Sequence, residues 1–419
     1  MEHFQQLGEA IEKEWRGINY DEARFPELTA AALKSAALPS NVKAWEVLDW
    51  ALAQAELPRQ RDLPGRFGDP PITIYSGLRF HIDVYFWFEG TTAIHQHGFA
   101  GAFQVLLGSS IHSWYNFDRR QAVNSFTEIG DMSLKVCQLL EVGDVQEIWP
   151  GQQYIHALFH LDSPSATIVV RTDRSPLNLP QFSYHKPSLA IDPFFDQDTI
   201  TKKLQVLRAV YRANRPDADA LATRMLEGLD LQTVYHVLVQ LRMALRSNGL
   251  EQLFKLDAEG SRFERFLDVV RKDHGDVADE LAKVFRHYDM LDDMLNKRAL
   301  VQDAELRFFM ALLLNVDERS RILELVAKRF PDVDPTEKVL DWIFDLANTR
   351  VMGNPPTNAL GVADFGDVEL LVLEELLQGK SDEQVIEDVL AQRPDVETAA
   401  IDTAINKIRE AVIFRPLLA

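Results

Sequence analysis

Hydrophobic and polar positions follow two different periods along this chain, and the changes of period divide it into three regions. Residues 1–56 carry apolar side chains at helical spacing, which predicts a helical N-terminal segment. The region 57–190 opens with a proline- and glycine-rich loop and continues with short runs of β-branched and aromatic residues between turns, a pattern typical of an all-β barrel or sandwich. Helical spacing returns over residues 195–419 and predicts a large all-α C-terminal domain, so the fold class is α+β and multidomain. The N-terminal stripe consists of Phe4, Leu7, Ile11 and Trp15.

Local signals in the C-terminal region predict where several helices begin and end. Ser381 fits the start of a capping box, and Asp317 stands where a helix N-cap is expected. Pro335 suits the first turn of a helix, and Gly379 suits a C-terminal cap. These residues predict that the C-terminal region consists of several separate helices.

Composition and charge limit the partners that the chain can have. Of its 419 residues, 44 are Lys or Arg and 64 are Asp or Glu, which gives a formal net charge of -20. Such a surface repels phosphate backbones and anionic lipids, so neither nucleic acid nor a membrane is an expected partner. A single cysteine, Cys137, excludes an intrachain disulfide framework and a cysteine-rich zinc site. With no signal peptide or membrane-length apolar run, a cytoplasmic protein is expected.

Histidine is concentrated in the predicted β region, where seven of the chain's eleven histidines lie between His81 and His185. Side chains alternate faces along a strand, so His95 and His97 point the same way. A third imidazole from a neighbouring strand would complete one side of a metal site that keeps open positions. His156 is the candidate for that ligand. Four residues of strand span roughly 13 Å, so His156 and His160 cannot both bind one ion.

Two stretches of this region resemble the motifs of the cupin superfamily. Residues 90–97 resemble the first cupin motif, and residues 143–156 resemble the second. The likeness covers about residues 72–185. It implies an RmlC-like jelly-roll β-barrel between the helical N-terminal segment and the helical C-terminal domain.

The predicted metal ligands indicate which group of cupins this chain resembles. Standard cupins carry a glutamate three or four residues after the second histidine, and this sequence has Gly101 there. Three histidines without the carboxylate are the pattern of cysteine dioxygenase-like cupins, to which Phe80, Trp87 and Phe103 are also similar in position. The resemblance implies iron(II) held by three neutral histidines, with substrate and O₂ at the open positions. Zinc, nickel or manganese could take the place of iron.

Strand parity adds candidates for substrate contact. Arg79, His81, Tyr85 and Trp87 share one face of the predicted strand 79–88. If Trp87 lines the pocket, as the resemblance implies, Arg79 could pair with a substrate carboxylate, and His81 or Tyr85 could orient the substrate or shuttle a proton. The alternative is that this face is the solvent side of an edge strand. The further candidates for substrate contact or ligand support are Gln104, Tyr154 and His160.

The favoured function is a mononuclear non-haem iron(II) dioxygenase, similar to thiol dioxygenases, that acts on a small polar metabolite. Two alternatives stay open: a redox-neutral, metal-dependent isomerase or lyase, and a non-catalytic ligand-binding or scaffold protein. The expected partners are a small-molecule substrate and O₂, and a homodimer is a further possibility. The helical domain could pack across the barrel mouth. The other histidines, His112 among them, are expected to be structural or surface residues, and Cys137 a buried small side chain.

Overall fold

The computed structural model describes residues 1–63, 67–88, 92–193, 197–247, 258–351 and 358–419. Gly90 of the first motif and the predicted boundary at residue 195 lie outside these ranges. Within the ranges, every helix is too short or too polar to cross a lipid bilayer.

The N-terminal segment is helical, as the apolar spacing predicts. Its stripe of Phe4, Leu7, Ile11 and Trp15 is buried. The helices are α1 (Glu2–Gly17), α2 (Phe25–Ala36), α3 (Leu38–Asn41) and α4 (Ala44–Ala53).

The β region forms two facing sheets whose paired strands are all antiparallel. The strands are β1 (Pro71–Ser76), β2 (Phe80–Trp87), β3 (Ile94–His95), β4 (Gly101–Leu107), β5 (Ser110–Asn124), β6 (Thr127–Leu140), β7 (Val145–Ile148), β8 (Ile155–His160), β9 (Ser165–Thr172), β10 (Ser183–His185) and β11 (Leu189–Ile191). One sheet has the order β1-β2-β9-β4-β7, and the other closes on itself in the order β10-β11-β6-β5-β8-β3. This is a cupin-like β-barrel, and the predicted fold class is confirmed.

Strand β2 separates the N-terminal core from the barrel interior. Its side chains Phe80, Ile82, Val84 and Phe86 are buried in one core with the N-terminal helices. The alternate positions therefore face the barrel interior. Because β2 pairs with both β1 and β9, the alternative of an edge strand facing solvent is wrong.

The C-terminal region is a succession of helices. They are α5 (Asp198–Arg212), α6 (Ala218–Leu226), α7 (Leu231–Ser247), α8 (Ala258–His274), α9 (Val277–Leu300), α10 (Ala304–Asn315), α11 (Arg319–Arg329), α12 (Pro335–Asn348), α13 (Asp367–Leu377), α14 (Asp382–Gln392), α15 (Thr398–Glu410) and α16 (Arg415–Leu418). The capping box at Ser381, the first-turn position of Pro335 and the positive φ of Gly379 after α13 are all confirmed. Asp317 is not an N-cap, because α11 begins at Arg319 and Asp317 instead pairs with Lys186 at 2.7 Å.

The helical region packs against the outer wall of the barrel rather than across its mouth. Outward side chains of β5, β6, β8 and β11 join two helical cores; they include Ile111, Leu139, Phe159, Ile129, Leu189 and Ile191. A buried carboxylate also joins the two parts: Glu280 of α9 accepts hydrogen bonds from Ser188 at 2.5 Å and Arg120 at 3.2 Å. Of the described residues of the helical region, none lines the cavity, so this part of the chain does not form the expected cover over the barrel mouth.

Candidate metal centre

Three histidines meet where the two cupin-like motifs come together. His95 on β3 lies directly opposite His156 on β8, and His97 forms a bridge with Pro150. The Gly151 amide donates to the His97 carbonyl at 2.8 Å, which ties the second motif to the first. All three imidazoles are buried, and one ligand atom from each lies within 4.8 Å of the others.

Hydrogen bonds behind the rings determine which nitrogen atoms face the centre. His95 Nδ1 lies 2.7 Å from the Ala93 carbonyl oxygen, which can only accept, so the lone pair of His95 is on Nε2. Trp114 Nε1, which can only donate, lies 2.7 Å from His112 Nε2. The same indole nitrogen lies 3.2 Å from His112 Nδ1. His112 Nε2 lies 3.0 Å from His156 Nδ1, so the other nitrogen of His156, Nε2, is the one that faces His97. Such supporting contacts are what orient metal-binding histidines.

The donor set suits a divalent transition-metal ion. His97 Nε2 and His156 Nε2 lie 2.8 Å apart, while His97 Nδ1 is buried without a hydrogen-bond partner. Burial lowers the pKa of His95, and lowers the pKa of His97 and His156 well below the usual 6.5. Neutral imidazoles are the form that binds metal, and three of them leave further coordination positions open.

Backbone packing excludes a fourth, carboxylate ligand at the usual cupin position. Gly101 begins β4, where it pairs with Arg171 on β9. A Cβ atom on Gly101 would lie 2.0 Å from the Val170 carbonyl oxygen. No larger side chain fits there, so the glycine and the missing glutamate have one physical cause.

A cavity of about 390 Å³ adjoins the histidine cluster, between the two sheets. Tyr85 and Trp87 line it, which is where strand parity places them. By exposed area the wall is mainly apolar, and its other apolar lining residues are Phe67, Phe99, Phe103, Ile148, Leu158 and Val169. Its other polar lining residues are Asp62, Thr92, Thr167, Arg171, Arg174 and Gln181. A ligand would therefore meet an apolar chamber with the histidines at one side.

Two predicted substrate residues lie elsewhere. Arg79 is exposed, and its guanidinium carbon stacks 4.2 Å from the ring centroid of Tyr20. The prediction for Arg79 is wrong because β2 begins only at Phe80, so parity does not extend to it. Gln104 is buried but donates to the Gly143 carbonyl at 3.1 Å, and supports a turn rather than the cavity.

Tyr154 and His160 support the site from behind its wall. The Tyr154 ring stacks on His97 with centroids 6.0 Å apart, and its hydroxyl lies 3.3 Å from His112 Nε2. His160 stacks on Trp87 with centroids 4.6 Å apart, and its Nδ1 lies 2.8 Å from Ser165 Oγ. As predicted, His156 and His160 share a strand and only His156 belongs to the cluster.

His81 lies one step behind the cavity, in a row of polar groups. The Tyr85 hydroxyl donates to Asp83 Oδ2 at 3.2 Å, and His81 Nε2 lies 3.2 Å from the same oxygen. His81 Nδ1 lies 3.6 Å from the exposed carboxylate of Asp173. Burial lowers the pKa of His81 and raises that of Tyr85. For Asp83, burial is outweighed by hydrogen bonds from His81 and Thr73, which hold its pKa below the usual value.

Sequence reasoning missed Arg171 and His112. Arg171 on β9 stacks its guanidinium 3.7 Å from the ring centroid of Phe99, and its Nη1 lies 3.4 Å from the Tyr85 hydroxyl. Parity on β9 could have found it, since Thr167, Val169 and Arg171 alternate into the cavity. His112 carries no sequence signal of its own, because its role depends on a contact with a neighbouring strand.

Comparison with known proteins gives likenesses of the barrel only. No family model and no curated protein matches the chain. Among solved structures, it is similar to a cupin-2 domain protein from Shewanella frigidimarina (12% identity, 32% of this chain and 98% of that chain, TM-score 0.19). It is also similar to the DMSP lyase DddQ from Ruegeria pomeroyi (17%, 38% and 76%, TM-score 0.21) and to a recombinant oxalate oxidase in complex with glycolate (13%, 37% and 74%, TM-score 0.20). At these scores the likenesses say nothing about activity, and the cupin-like fold rests on the strand order of the barrel.

Proposed function

We propose that this chain is a metal-dependent cupin enzyme and, within that class, a mononuclear non-haem iron(II) dioxygenase with chemistry like that of the thiol dioxygenases, acting on a small metabolite. The observation that carries the proposal is the buried cluster of His95, His97 and His156 beside a largely apolar cavity. An ion held there would supply redox chemistry toward O₂ and a Lewis-acidic centre for the substrate. Three neutral ligands and an excluded carboxylate favour this class of cupin.

Arg171 is the residue that we assign to an anionic group of the substrate, in the role first predicted for Arg79. Its Nε atom is buried without a hydrogen-bond partner, and its plane is fixed against Phe99. A guanidinium presents a rigid fork of N–H donors that matches a carboxylate. Arg171 therefore orients the substrate relative to the histidine cluster.

Tyr85 is the residue that we assign to proton transfer. Its raised pKa keeps the phenol protonated, and its proton is donated to Asp83, so the Tyr85 oxygen meets the substrate as an acceptor. When the Tyr85 oxygen accepts a proton from the substrate, its own proton passes to Asp83. Asp83 is in turn the neighbour of His81, whose Nε2 lies 3.2 Å from the same carboxylate oxygen.

The test begins with metal content. The protein is purified without oxygen and analysed by mass spectrometry beside a His95→Ala/His97→Ala variant and a His160→Phe control. We expect near-stoichiometric iron in the wild type and the control, and none in the double variant. O₂ consumption is then measured with thiols, amino acids and other small organic acids.

Each other outcome supports a different function. Zinc or nickel, with turnover that needs no O₂, would replace the dioxygenase with a redox-neutral isomerase or lyase. No metal in any of the proteins, even after iron(II) is supplied, would overturn both enzyme proposals. A non-catalytic ligand-binding protein would then remain.

A further inference from the structure

We infer that the ligand of this cavity is a monoanion with an apolar body, such as an arylalkyl carboxylate, and not a small polar metabolite of the kind that the sequence suggests. The inference names the substrate class of the enzyme proposed above and rests on that proposal for catalysis. Binding itself depends only on the walls of the cavity, so it is tested without metal.

The shape and lining of the cavity require an apolar body. Trp87, Phe103, Leu158 and Val169 approach from both sheets and present almost no hydrogen-bonding atoms. A compact polar molecule would leave this surface unfilled and would lose its own hydrogen bonds to water, which is unfavourable. An apolar cavity of about 150 Å³ already holds benzene. The 390 Å³ here therefore accommodates a ring together with a short acidic side chain.

The cation in the wall requires an anion. Among the described residues, no carboxylate lies within ion-pair distance of Arg171; the one hydrogen bond of its guanidinium there is to Tyr85 at 3.4 Å. The Nε atom of Arg171 is buried without a hydrogen-bond partner, and a carboxylate pairs with a guanidinium in two parallel hydrogen bonds. The chain as a whole carries a formal net charge of -20, so the positive charge of Arg171 is a local exception.

The cavity carries a second cation and one acid. Gly98 follows the second histidine, and a Cβ atom there would lie 2.8 Å from Arg174 Cγ. The glycine thus lets Arg174 approach the site. Asp62 is the one lining carboxylate among the described residues, and it accepts from the Phe67 amide at 2.9 Å. A monoanion is matched to Arg171, the lining cation whose Nε has no hydrogen-bond partner.

The apolar body and the anion are held close to the histidine cluster. Phe99 contacts both groups, with its ring centroid 3.7 Å from the Arg171 guanidinium and 4.5 Å from the His97 ring centroid. A ligand whose carboxylate pairs with Arg171 lies along this ring and reaches the histidines with its adjoining atoms. The anion-binding arginine and the histidine cluster thus lie at two ends of one cavity.

The test is calorimetric titration of the full-length, metal-free protein under nitrogen. The probes are 3-phenylpropionate, its uncharged amide 3-phenylpropanamide, and cysteine. We expect saturable binding of 3-phenylpropionate, at least tenfold weaker binding of the amide, and weaker binding still of cysteine. Equal binding of acid and amide, or tighter binding of cysteine, overturns the inference.

Variants locate the site of binding. Arg171→Gln removes the cation and should weaken 3-phenylpropionate at least tenfold while changing the amide little. Arg79→Gln, outside the cavity, should change neither. If Arg171→Gln fails to fold, Arg171→Lys is used instead, because it keeps the positive charge but not the paired N–H donors, and it should bind 3-phenylpropionate with intermediate affinity. If the folded Arg171 variants bind 3-phenylpropionate as tightly as the wild type, Arg171 is not the anion-binding residue. Neither metal nor O₂ is needed for these titrations. If the wild type does not bind 3-phenylpropionate but contains iron normally, this inference alone is refuted. If it binds 3-phenylpropionate but takes up no metal, the proposed function alone is refuted.

Discussion

His112 Nε2 lies 3.0 Å from His156 Nδ1, and this contact holds a histidine of the cluster in place from outside the cluster. We predict that His112→Phe lowers metal affinity 10- to 100-fold, because the supporting hydrogen-bond partner is lost while an aromatic ring is kept. His160→Phe is the matched control, since His160 is equally buried on the same strand as His156 but does not touch the cluster. Zinc affinity is measured by competition with a chromophoric chelator. Equal affinities in the two variants would contradict the prediction.

Gly101 is predicted to tolerate no side chain. In Gly101→Ala the new Cβ would lie 2.0 Å from a backbone oxygen, so the strands β4 and β9 must separate. We expect a loss of about 3 kcal/mol or more in the free energy of unfolding, and no gain of metal affinity in Gly101→Glu. Gly17→Ala is the control, because nothing lies within 4 Å of its added Cβ. Urea unfolding measures both, and a Gly101→Ala protein as stable as the control would refute the packing account.

Acid should destabilise the metal-free protein before its carboxylates titrate. Burial lowers the pKa of His112 and of His160 to about 3, and also lowers the pKa of the three cluster histidines. Each folded-state pKa lies below the unfolded value of about 6.5, so the unfolded chain binds more protons below that pH. Stability is thus complete above pH 6.5 and falls as the pH drops toward 3, by up to about 1.4 kcal/mol per pH unit for each histidine.

Urea unfolding of the metal-free protein at pH 7.5, 6.5, 5.5 and 5.0 measures this slope. The free energy of unfolding should change less steeply with pH in His160→Phe, because this variant keeps the stacking on Trp87 but has one buried titrating group fewer. A free energy of unfolding that does not change between pH 7.5 and 5.0 would show that the histidines are not buried as described.

Glu280 should contribute more to the free energy of unfolding than the neighbouring Asp279. It is buried, and its carboxylate accepts from Ser188 and Arg120 on the barrel side. Glu280→Ala leaves those donors without their acceptor, and we expect a loss of about 1–3 kcal/mol. Asp279→Ala breaks only a more exposed pair with Arg271 and should cost less than about 1 kcal/mol. The two variants are compared by urea unfolding, and similar losses would mean that the Glu280 contacts do not hold the helices to the barrel.

The sequence was sufficient for features that depend on local period. The stripe of α1 and the alternation of side chains along β2 follow from which positions are apolar, and the structure places Tyr85 and Trp87 on the face that the resemblance assigns to the cavity. The paired motifs brought His95, His97 and His156 together because the turn at Pro150 and Gly151 brings the second motif against His97.

Features that depend on contacts between distant strands could not be predicted. His112 reaches His156 through the pairing of β5 with β8, which no local pattern specifies. Arg79 failed for a local reason, because parity holds only within a strand and β2 starts one residue later. The N-cap prediction for Asp317 failed because the helix begins one residue later than expected, with Glu318 at its N-cap, and the Asp317 carboxylate pairs with Lys186.

The double-sided packing of β2 has a consequence for how this protein can be divided. The strand that carries Tyr85 and Trp87 into the chamber shows its other side, from Phe80 to Phe86, to the N-terminal helices. A shortened version starting at residue 57 would expose that apolar side to water, and the chamber wall would lose the support that holds it flat. The first 56 residues thus belong to the binding site without touching a ligand, and engineering of the pocket should keep them.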